Sequence, residues 1–279
     1  MSLLVGIMVG VIVGMVLLRL SLCSVFPASF AFGDSLLDTG NNNHLVSLAR
    51  ANFDPYGIDF GRPTGRFCNG RTSADVINQQ LGLAFSPPYM APTTAGSAIL
   101  KGVNYASGAA GILNDSGIIF RLFDLGAKKI VVSNIGPIGC TPYMRDFNPQ
   151  VGDECDSSPD QLIQLYNTHL KGLLVELKTN LLGSLFVYAD VYHIMQDVLL
   201  NYNKYGFENV NSSCCLTAGQ HGGLIPCAPD SKVCEDRSKY AFWDSFHPSD
   251  AMNAIFAERL LNGDIYDVSP MNIYQLSQV

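Results

Sequence analysis

Charge is the property in which this sequence is poorest. Only 15% of its 279 residues are Asp, Glu, Lys or Arg, whereas a typical soluble domain has about 25%. Acidic residues outnumber basic ones by 24 to 17, which gives a formal net charge of -7. A nucleic-acid-binding protein needs a clustered basic face. We therefore expect no nucleic-acid partner and a surface whose polarity comes mainly from Asn, Ser, Gly and Tyr.

Internal linkers and repeats are also missing. No stretch rich in Pro and Ser or in charged residues interrupts the middle of the chain. A single α/β domain over residues 24–279 is therefore more consistent with the sequence than two domains. The sequence leaves the oligomeric state of this domain open.

The chain has one long apolar run, and it lies at the amino terminus. Residues 2–18 carry no charge, and small residues stand at Ser21 and Cys23. This pattern favours a secretory signal peptide over residues 1–23, because the first predicted strand follows within a few residues and leaves no linker. The alternative is an uncleaved membrane anchor, since about 18 apolar residues can span a bilayer. Either interpretation predicts that the body of the protein is exported.

Cysteine usage agrees with export. Removing Cys23 with the signal peptide leaves an odd number of cysteines, so one thiol should be free or lack its partner. Cys140 and Cys155 flank a loop rich in Pro, Asp and Gly, which suits a disulfide. Four more cysteines crowd a second loop with His221, but they lack the paired spacing of zinc ligands. We therefore expect disulfides and no metal. The eight positions are Cys23, Cys68, Cys140, Cys155, Cys214, Cys215, Cys227 and Cys234.

Two short sequences match the acceptor pattern for N-glycosylation. They are Asn114-Asp115-Ser116 and Asn211-Ser212-Ser213. A pattern of three residues is common in any chain of this length. Both matches nevertheless agree with the export that the cysteines indicate, because N-glycans are attached to secreted proteins. We therefore expect a glycoprotein.

Strands and helices are predicted to alternate along the chain. Short apolar runs predict strands, and apolar residues at helical spacing predict helices. Such alternation favours a three-layer α/β/α fold with a mostly parallel sheet. The predicted strands are 29–32, 103–106, 129–135 and 186–190. The predicted helices run from a cap at Ser158 to about Leu182, from the strand at 186–190 to about Tyr202, and over 250–261 behind a cap at Ser249.

Three residues at opposite ends of the chain supply the parts of a nucleophilic catalyst. Ser35 follows the first strand on a turn at Gly33, and Asp244 and His247 precede the helix at 250. Loops at the carboxyl ends of parallel strands meet at one edge of a sheet. A serine, a histidine and an orienting carboxylate are the groups that hydrolyse an ester. A serine after a glycine turn more often caps a helix, but the two strings together favour a hydrolase.

The same strings resemble the plant GDSL esterase/lipase family of the SGNH hydrolase superfamily. Residues 32–43 (Phe-Gly-Asp-Ser-Leu-Leu-Asp-Thr-Gly-Asn-Asn-Asn), 104–112 and 243–248 (Trp-Asp-Ser-Phe-His-Pro) are similar to three of its blocks. The resemblance runs from about Ser29 to the carboxyl terminus. It implies an SGNH-type, flavodoxin-like fold and a hydrolase that acts on small-molecule or lipid esters without a cofactor.

The resemblance also assigns roles to individual residues. It makes Ser35 the nucleophile, with His247 and Asp244 completing the triad. The amides of Ser35 and Gly111 are the implied donors of the oxyanion hole, and Gly108 is the alternative to Gly111. No metal takes part in the implied reaction.

One block of the family is absent from this chain. The family carries a Gly-x-Asn-Asp sequence at the end of a central strand, and its Asn side chain is a third oxyanion donor. No Gly-x-Asn-Asp occurs here, and only a dozen residues separate Ile112 from Leu125. We therefore expect an internally shortened form that lacks one central strand. Direct pairing of the strands at 29–32 and 129–135 would close a smaller four-stranded sheet. Impaired hydrolysis and a non-catalytic or poorly folded variant are both compatible with this loss.

Overall fold

The computed structural model describes residues 26–110, 127–152 and 154–279. The predicted signal peptide, the oxyanion donor Gly111 and the glycosylation acceptor Asn114 lie outside these ranges. No helix within the described ranges has the length and apolar character needed to cross a membrane.

The described strands are short, and the predicted ones are all present. The strand at 103–106 is reduced to two residues, as is the first strand. Several further strands in the second half of the chain were not predicted. The strands are β1 (Phe30–Ala31), β2 (Val103–Asn104), β3 (Lys129–Ser133), β4 (Leu185–Ala189), β5 (Asn209–Ser213), β6 (Cys215–Leu216), β7 (Lys232–Val233), β8 (Tyr240–Phe242) and β9 (Val268–Ser269).

The predicted helices are also present, with one difference at a start. The long helix begins at Ser157, and its cap is Asp156 instead of the predicted Ser158, because the Asp156 side chain accepts a hydrogen bond from the Ser158 amide. The later helix is capped as predicted, because the Ser249 hydroxyl accepts a hydrogen bond from the Met252 amide. The helices are α1 (Ser73–Gln80), α2 (Pro142–Phe147), α3 (Ser157–Asn180), α4 (Val191–Leu200), α5 (Asp250–Asn262) and α6 (Ile273–Ser277).

The strands form small, mostly parallel sheets, which confirms the predicted α/β class. β1 pairs with β2, and β3 pairs with β4, both in parallel. β9 adds to β4 in the antiparallel direction, and β5 pairs in parallel with β8. A short antiparallel pair, β6 with β7, lies beside them.

The smaller four-stranded sheet does not form among the described residues. β1 and β3 belong to separate sheets and share no hydrogen-bonded register. Strands at the centre of a parallel sheet are normally covered on both faces, yet Phe30 of β1 and Val131 of β3 are exposed. Within residues 26–110 and 127–279, apart from 153, no strand lies between β1 and β3, and the two strands stay in separate sheets.

Two clusters of buried apolar side chains hold the site in place. The larger cluster joins β4, α4, β8 and α5, and it contains Val187, Ile194, Val198, Phe242, Met252 and Leu260. The second cluster surrounds Trp243, one residue before the predicted triad aspartate, and it contains Tyr56, Phe67, Cys68, Cys214 and Cys215. Both ends of the chain contribute to the second cluster, so apolar packing brings them together.

The cysteines pair as disulfides, and one thiol is left. Cys140 is bonded to Cys155, as the loop between them predicts. The four cysteines of the second loop pair as Cys214–Cys234 and Cys215–Cys227, so none of these sulfurs is available as a zinc ligand. Cys68 is the free and buried thiol that the odd number predicts. The Nδ1 atom of His221, in the same loop, lies 3.1 Å from Asp146 Oδ1.

Candidate active site

Ser35 lies on a tight turn that follows β1. The Asp34 carbonyl accepts hydrogen bonds from the amides of Leu37 and Asp38, at 3.2 and 3.1 Å. The Asp34 side chain accepts from the Leu36 amide at 3.0 Å. These bonds close one turn of chain around Ser35, which is partly exposed at its surface. The serine is presented on this turn and does not cap a helix.

Asp244 and His247 lie on the loop between β8 and α5, and this loop is held by its own backbone. Asp244 is completely buried, and its Oδ1 atom accepts from the amides of Phe246 and His247 at 3.0 and 2.9 Å. The Trp243 amide donates to the His247 carbonyl at 2.8 Å. A turn of this kind holds the imidazole within hydrogen-bonding distance of the carboxylate.

Disulfide-bonded residues support the same loop from the side. The Cys215 amide donates to the Trp243 carbonyl at 2.7 Å, and the Cys214 amide donates to the Phe242 carbonyl at 3.0 Å. Each of these cysteines belongs to a different disulfide. The segment that carries Asp244 is therefore attached to a doubly cross-linked loop.

The structure brings the three predicted catalytic side chains into one chain of hydrogen bonds. His247 Nε2 lies 2.8 Å from Ser35 Oγ, although 212 positions separate the two residues. His247 Nδ1 lies 2.7 and 2.8 Å from the two carboxylate oxygens of Asp244. These distances lie within the range that proton transfer between a nucleophile and its base requires. With Nδ1 protonated toward the carboxylate, Nε2 is the acceptor for the serine hydroxyl.

Asp244 is held in its ionised form. Burial raises the pKa of Asp244, but attraction to His247 and hydrogen bonds from that ring, from the Phe246 amide and from Tyr56 outweigh burial and lower it. The Tyr56 hydroxyl donates to Asp244 Oδ2 at 2.7 Å. Sequence reasoning missed Tyr56, because no spacing or motif connects it with a carboxylate 188 positions away.

A second buried carboxylate, Asp38, fixes the chain beside the nucleophile. Its Oδ1 atom accepts from the amides of Gly40 and Asn41, both at 2.7 Å, and its Oδ2 atom accepts from the Gly108 amide at 2.9 Å. Burial raises the pKa of Asp38, and these amide donors lower it by less. The Gly108 amide is therefore already used, which argues against Gly108 as the alternative oxyanion donor. The preferred donor, Gly111, lies outside the described residues.

Two asparagines complete this attachment. The Asn41 amide group donates to the carbonyls of Asn104 and Ala106, each at 2.8 Å. The Asn42 amide group donates to the Gly108 carbonyl at 2.9 Å. The first block of the sequence thus holds residues 104–108 next to Ser35. The motif that contains these asparagines does not predict this structural role.

Replacing Asp38 by alanine is expected to destabilise the fold by about 3 kcal/mol or more, because three buried amides lose their acceptor at about 1–3 kcal/mol each. Urea denaturation followed by circular dichroism measures the change in the free energy of unfolding. Asp264→Ala is the matched control, because Asp264 accepts from the Tyr266 amide on an exposed turn. A change of less than 1 kcal/mol for Asp38→Ala would contradict this role.

Known proteins resemble this chain over most of its length. The GDSL-like lipase/acylhydrolase family pattern matches residues 30–124 and 116–260. A GDSL esterase/lipase of Arabidopsis thaliana is 44% identical, over 91% of this chain and 91% of the relative. A second one is 38% identical, over 89% and 87%. GDSL esterase/lipase 7 of the same plant is 34% identical, over 91% and 92%.

The comparisons also agree with an internally shortened sequence. The first alignment extends over 336 positions, whereas the whole chain has 279 residues, so part of that relative has no counterpart here. The family pattern matches two stretches, and these overlap at residues 116–124, close to the predicted gap. Over both stretches the match covers well over half of the chain. The chain therefore belongs to the GDSL-like lipase/acylhydrolase family.

Proposed function

We propose that this chain is an exported serine hydrolase that cleaves carboxylic esters with Ser35, His247 and Asp244 as its triad. The observation that carries the proposal is the unbroken run of hydrogen bonds from Ser35 Oγ through the imidazole to the Asp244 carboxylate. Membership of a hydrolase family supports the reaction class. The names of the relatives, GDSL esterase/lipase, support an ester as the substrate.

In this mechanism Ser35 Oγ attacks the acyl carbon while His247 Nε2 removes the hydroxyl proton. Asp244 holds the ring in the required tautomer and stabilises the imidazolium that forms. The negative oxygen of the tetrahedral intermediate accepts hydrogen bonds from the amides of Ser35 and Gly111. His247 then gives its proton to the leaving alcohol. Water repeats the same steps on the acyl-enzyme, which releases the acid and restores Ser35.

Exposed aromatic side chains next to the triad support an apolar acyl or alcohol group in the substrate. Phe32, three residues before Ser35, is 47% exposed and stacks on Tyr105 with ring centroids 5.0 Å apart. Phe246, beside His247, is 39% exposed, and the centroid of its ring lies 4.9 Å from that of Tyr143. Ligand sites combine apolar walls with a few placed polar groups. These two aromatic pairs supply such walls, so lipid esters and other acyl esters are the proposed substrates.

Export is part of the proposal. Three disulfides among the described residues are typical of an oxidising compartment. The apolar segment at residues 1–23 supports secretion, with retention as a membrane anchor as the alternative. Asn211, a partly exposed residue of β5, is the glycan acceptor that we propose among the described residues.

The shortened middle predicts a weakened enzyme. A test inserts, between residues 112 and 125, the segment of a family member that carries Gly-x-Asn-Asp. We expect kcat to rise about 10²–10³-fold, because the loss of one oxyanion donor typically lowers kcat by that factor. The same insertion with its Asn changed to Ala is the control, since it restores the strand without the donor. A folded insertion protein whose kcat equals that of its Ala control would contradict the proposed loss.

Turnover of p-nitrophenyl butyrate by the purified secreted protein tests the proposed function. We expect saturable hydrolysis that is lost irreversibly after treatment with a serine-directed sulfonyl fluoride. Circular dichroism on the same sample separates an inactive site from an unfolded chain. Native circular dichroism with a rate equal to the buffer blank would contradict the proposal and favour a non-catalytic variant.

A further inference from the structure

Tyr56 is buried against the carboxylate of the triad. Its side chain is 2% exposed, and its hydroxyl donates to Asp244 Oδ2 at 2.7 Å. The other oxygen, Oδ1, already has the amides of Phe246 and His247 as donors. Among the described residues, Oδ2 has only the imidazole and this phenol. The hydroxyl therefore supplies the donor that the backbone does not.

The ring of Tyr56 is fixed by aromatic neighbours on several sides. It packs edge to face against Phe53, Phe67 and Trp243, with centroids 5.3, 6.0 and 6.4 Å apart. The Tyr56 amide also donates to the Phe53 carbonyl at 3.1 Å. Aromatic pairs in this arrangement are favourable beyond their buried area. The hydroxyl is therefore held at one position relative to Asp244.

We propose that Tyr56 is a positioning residue of this enzyme. Its hydroxyl orients the Asp244 carboxylate toward His247 and weakens the attraction of that carboxylate for the imidazole proton. The inference rests on the proposed function, because the orientation matters only when His247 acts as a base toward Ser35. Tyr56 itself touches neither the serine nor the substrate. It acts through Asp244, one hydrogen bond behind the reacting atoms.

The charged and titratable groups near this contact define the expected pH effect. His247 and Tyr56 both contact the Asp244 carboxylate. The buried thiol of Cys68 belongs to the same apolar cluster as Tyr56 and donates to the Gly70 carbonyl. Burial raises the pKa of Tyr56, and the negative charge of Asp244 raises it further. The phenol therefore remains protonated, and a donor, throughout the range in which the enzyme would work. Without this donor, the carboxylate stabilises the imidazolium more strongly, so we expect the acid limb of the rate profile to lie at higher pH.

Replacing Tyr56 by phenylalanine keeps the ring contacts and removes only the hydroxyl. We expect kcat to fall about tenfold with little change in KM, since one hydrogen bond to a charged group is lost. The acid limb of the rate profile should move up by about 0.5–1 pH unit. Tyr205→Phe is the matched control, because the Tyr205 hydroxyl donates to the carboxylate of Asp197 at 2.5 Å, outside the site.

Both variants are assayed at a temperature at which circular dichroism shows them to be folded. The titration of the His247 ring is also followed by NMR on histidine-labelled protein, and this readout does not depend on turnover. A higher midpoint in Tyr56→Phe, but not in Tyr205→Phe, supports the inference. An unchanged midpoint and an acid limb within 0.2 pH unit of the parent would overturn it. Absence of esterase activity in the parent protein would reject the proposed function, and the NMR midpoint would still decide the role of Tyr56.

Discussion

Replacing Ser35 by alanine is expected to reduce ester hydrolysis to the uncatalysed rate, a fall in kcat of at least about 10³-fold. In a complete triad, loss of the nucleophile lowers kcat by about 10⁶-fold. The proposed loss of one oxyanion donor would lower the parent rate by about 10²–10³-fold, so we expect a smaller measurable fall in this chain. Initial rates with p-nitrophenyl butyrate, compared with a blank without protein, give the value.

Ser238→Ala is the matched control for this measurement. Ser238 is exposed, and its hydroxyl donates to Asp236 on a surface turn. The control variant should retain the parent kcat within a factor of two. Residual turnover of Ser35→Ala at a tenth or more of the parent rate would mean that another group performs the hydrolysis.

Replacing Asp244 by asparagine is expected to lower kcat by about 10³–10⁴-fold with a small effect on KM. The substitution preserves shape and burial, but an amide nitrogen facing Nδ1 favours the tautomer that protonates Nε2. His247 then offers a donor instead of an acceptor to Ser35 Oγ, which lies 2.8 Å away. The Oδ1 atom of the asparagine would still accept from the backbone amides of the loop, so the fold is expected to persist.

The second buried His–Asp pair provides a control for Asp244→Asn. Asp146 Oδ1 lies 3.1 Å from the Nδ1 atom of His221, and Asp146 also accepts from the Gly223 amide. Asp146→Asn makes the same chemical change at a His–Asp pair that does not include the proposed triad. It should change kcat less than tenfold at a temperature at which the protein is folded. If kcat fell equally in the two variants, the loss would come from general destabilisation of the protein and not from the triad.

The positions of Ser35, Asp244 and His247 could be predicted because short, specific strings carry them. Tyr56 and Asp38 could not, because their roles depend on partners 188 and 70 positions away. Nothing local to either residue marks it as a donor to a triad or as an acceptor for a distant amide. Tyr56 meets Asp244 only when the two ends of the chain pack around Trp243. Asp38 meets the Gly108 amide only when residues 104–108 lie beside the first block.

The fold shows the same division between local and distant information. α5 was predicted within one residue, because Ser249 and the periodic apolar positions are local signals. The start of α3 depends on which of two nearby polar residues caps it, and Asp156 displaces Ser158. The separation of β1 from β3 depends on which strands pair over long distances in the chain, and a local pattern of residues does not contain that information.

Mass spectrometry of the protein after reaction with a fluorophosphonate ester tests directly whether Ser35 is an activated nucleophile. The triad predicts one adduct per chain, on the peptide that contains Ser35, with labelling slowed at least about 10²-fold in His247→Ala. A folded protein that takes up no label, or whose labelling is equally fast without His247, would contradict activation of Ser35 by the imidazole.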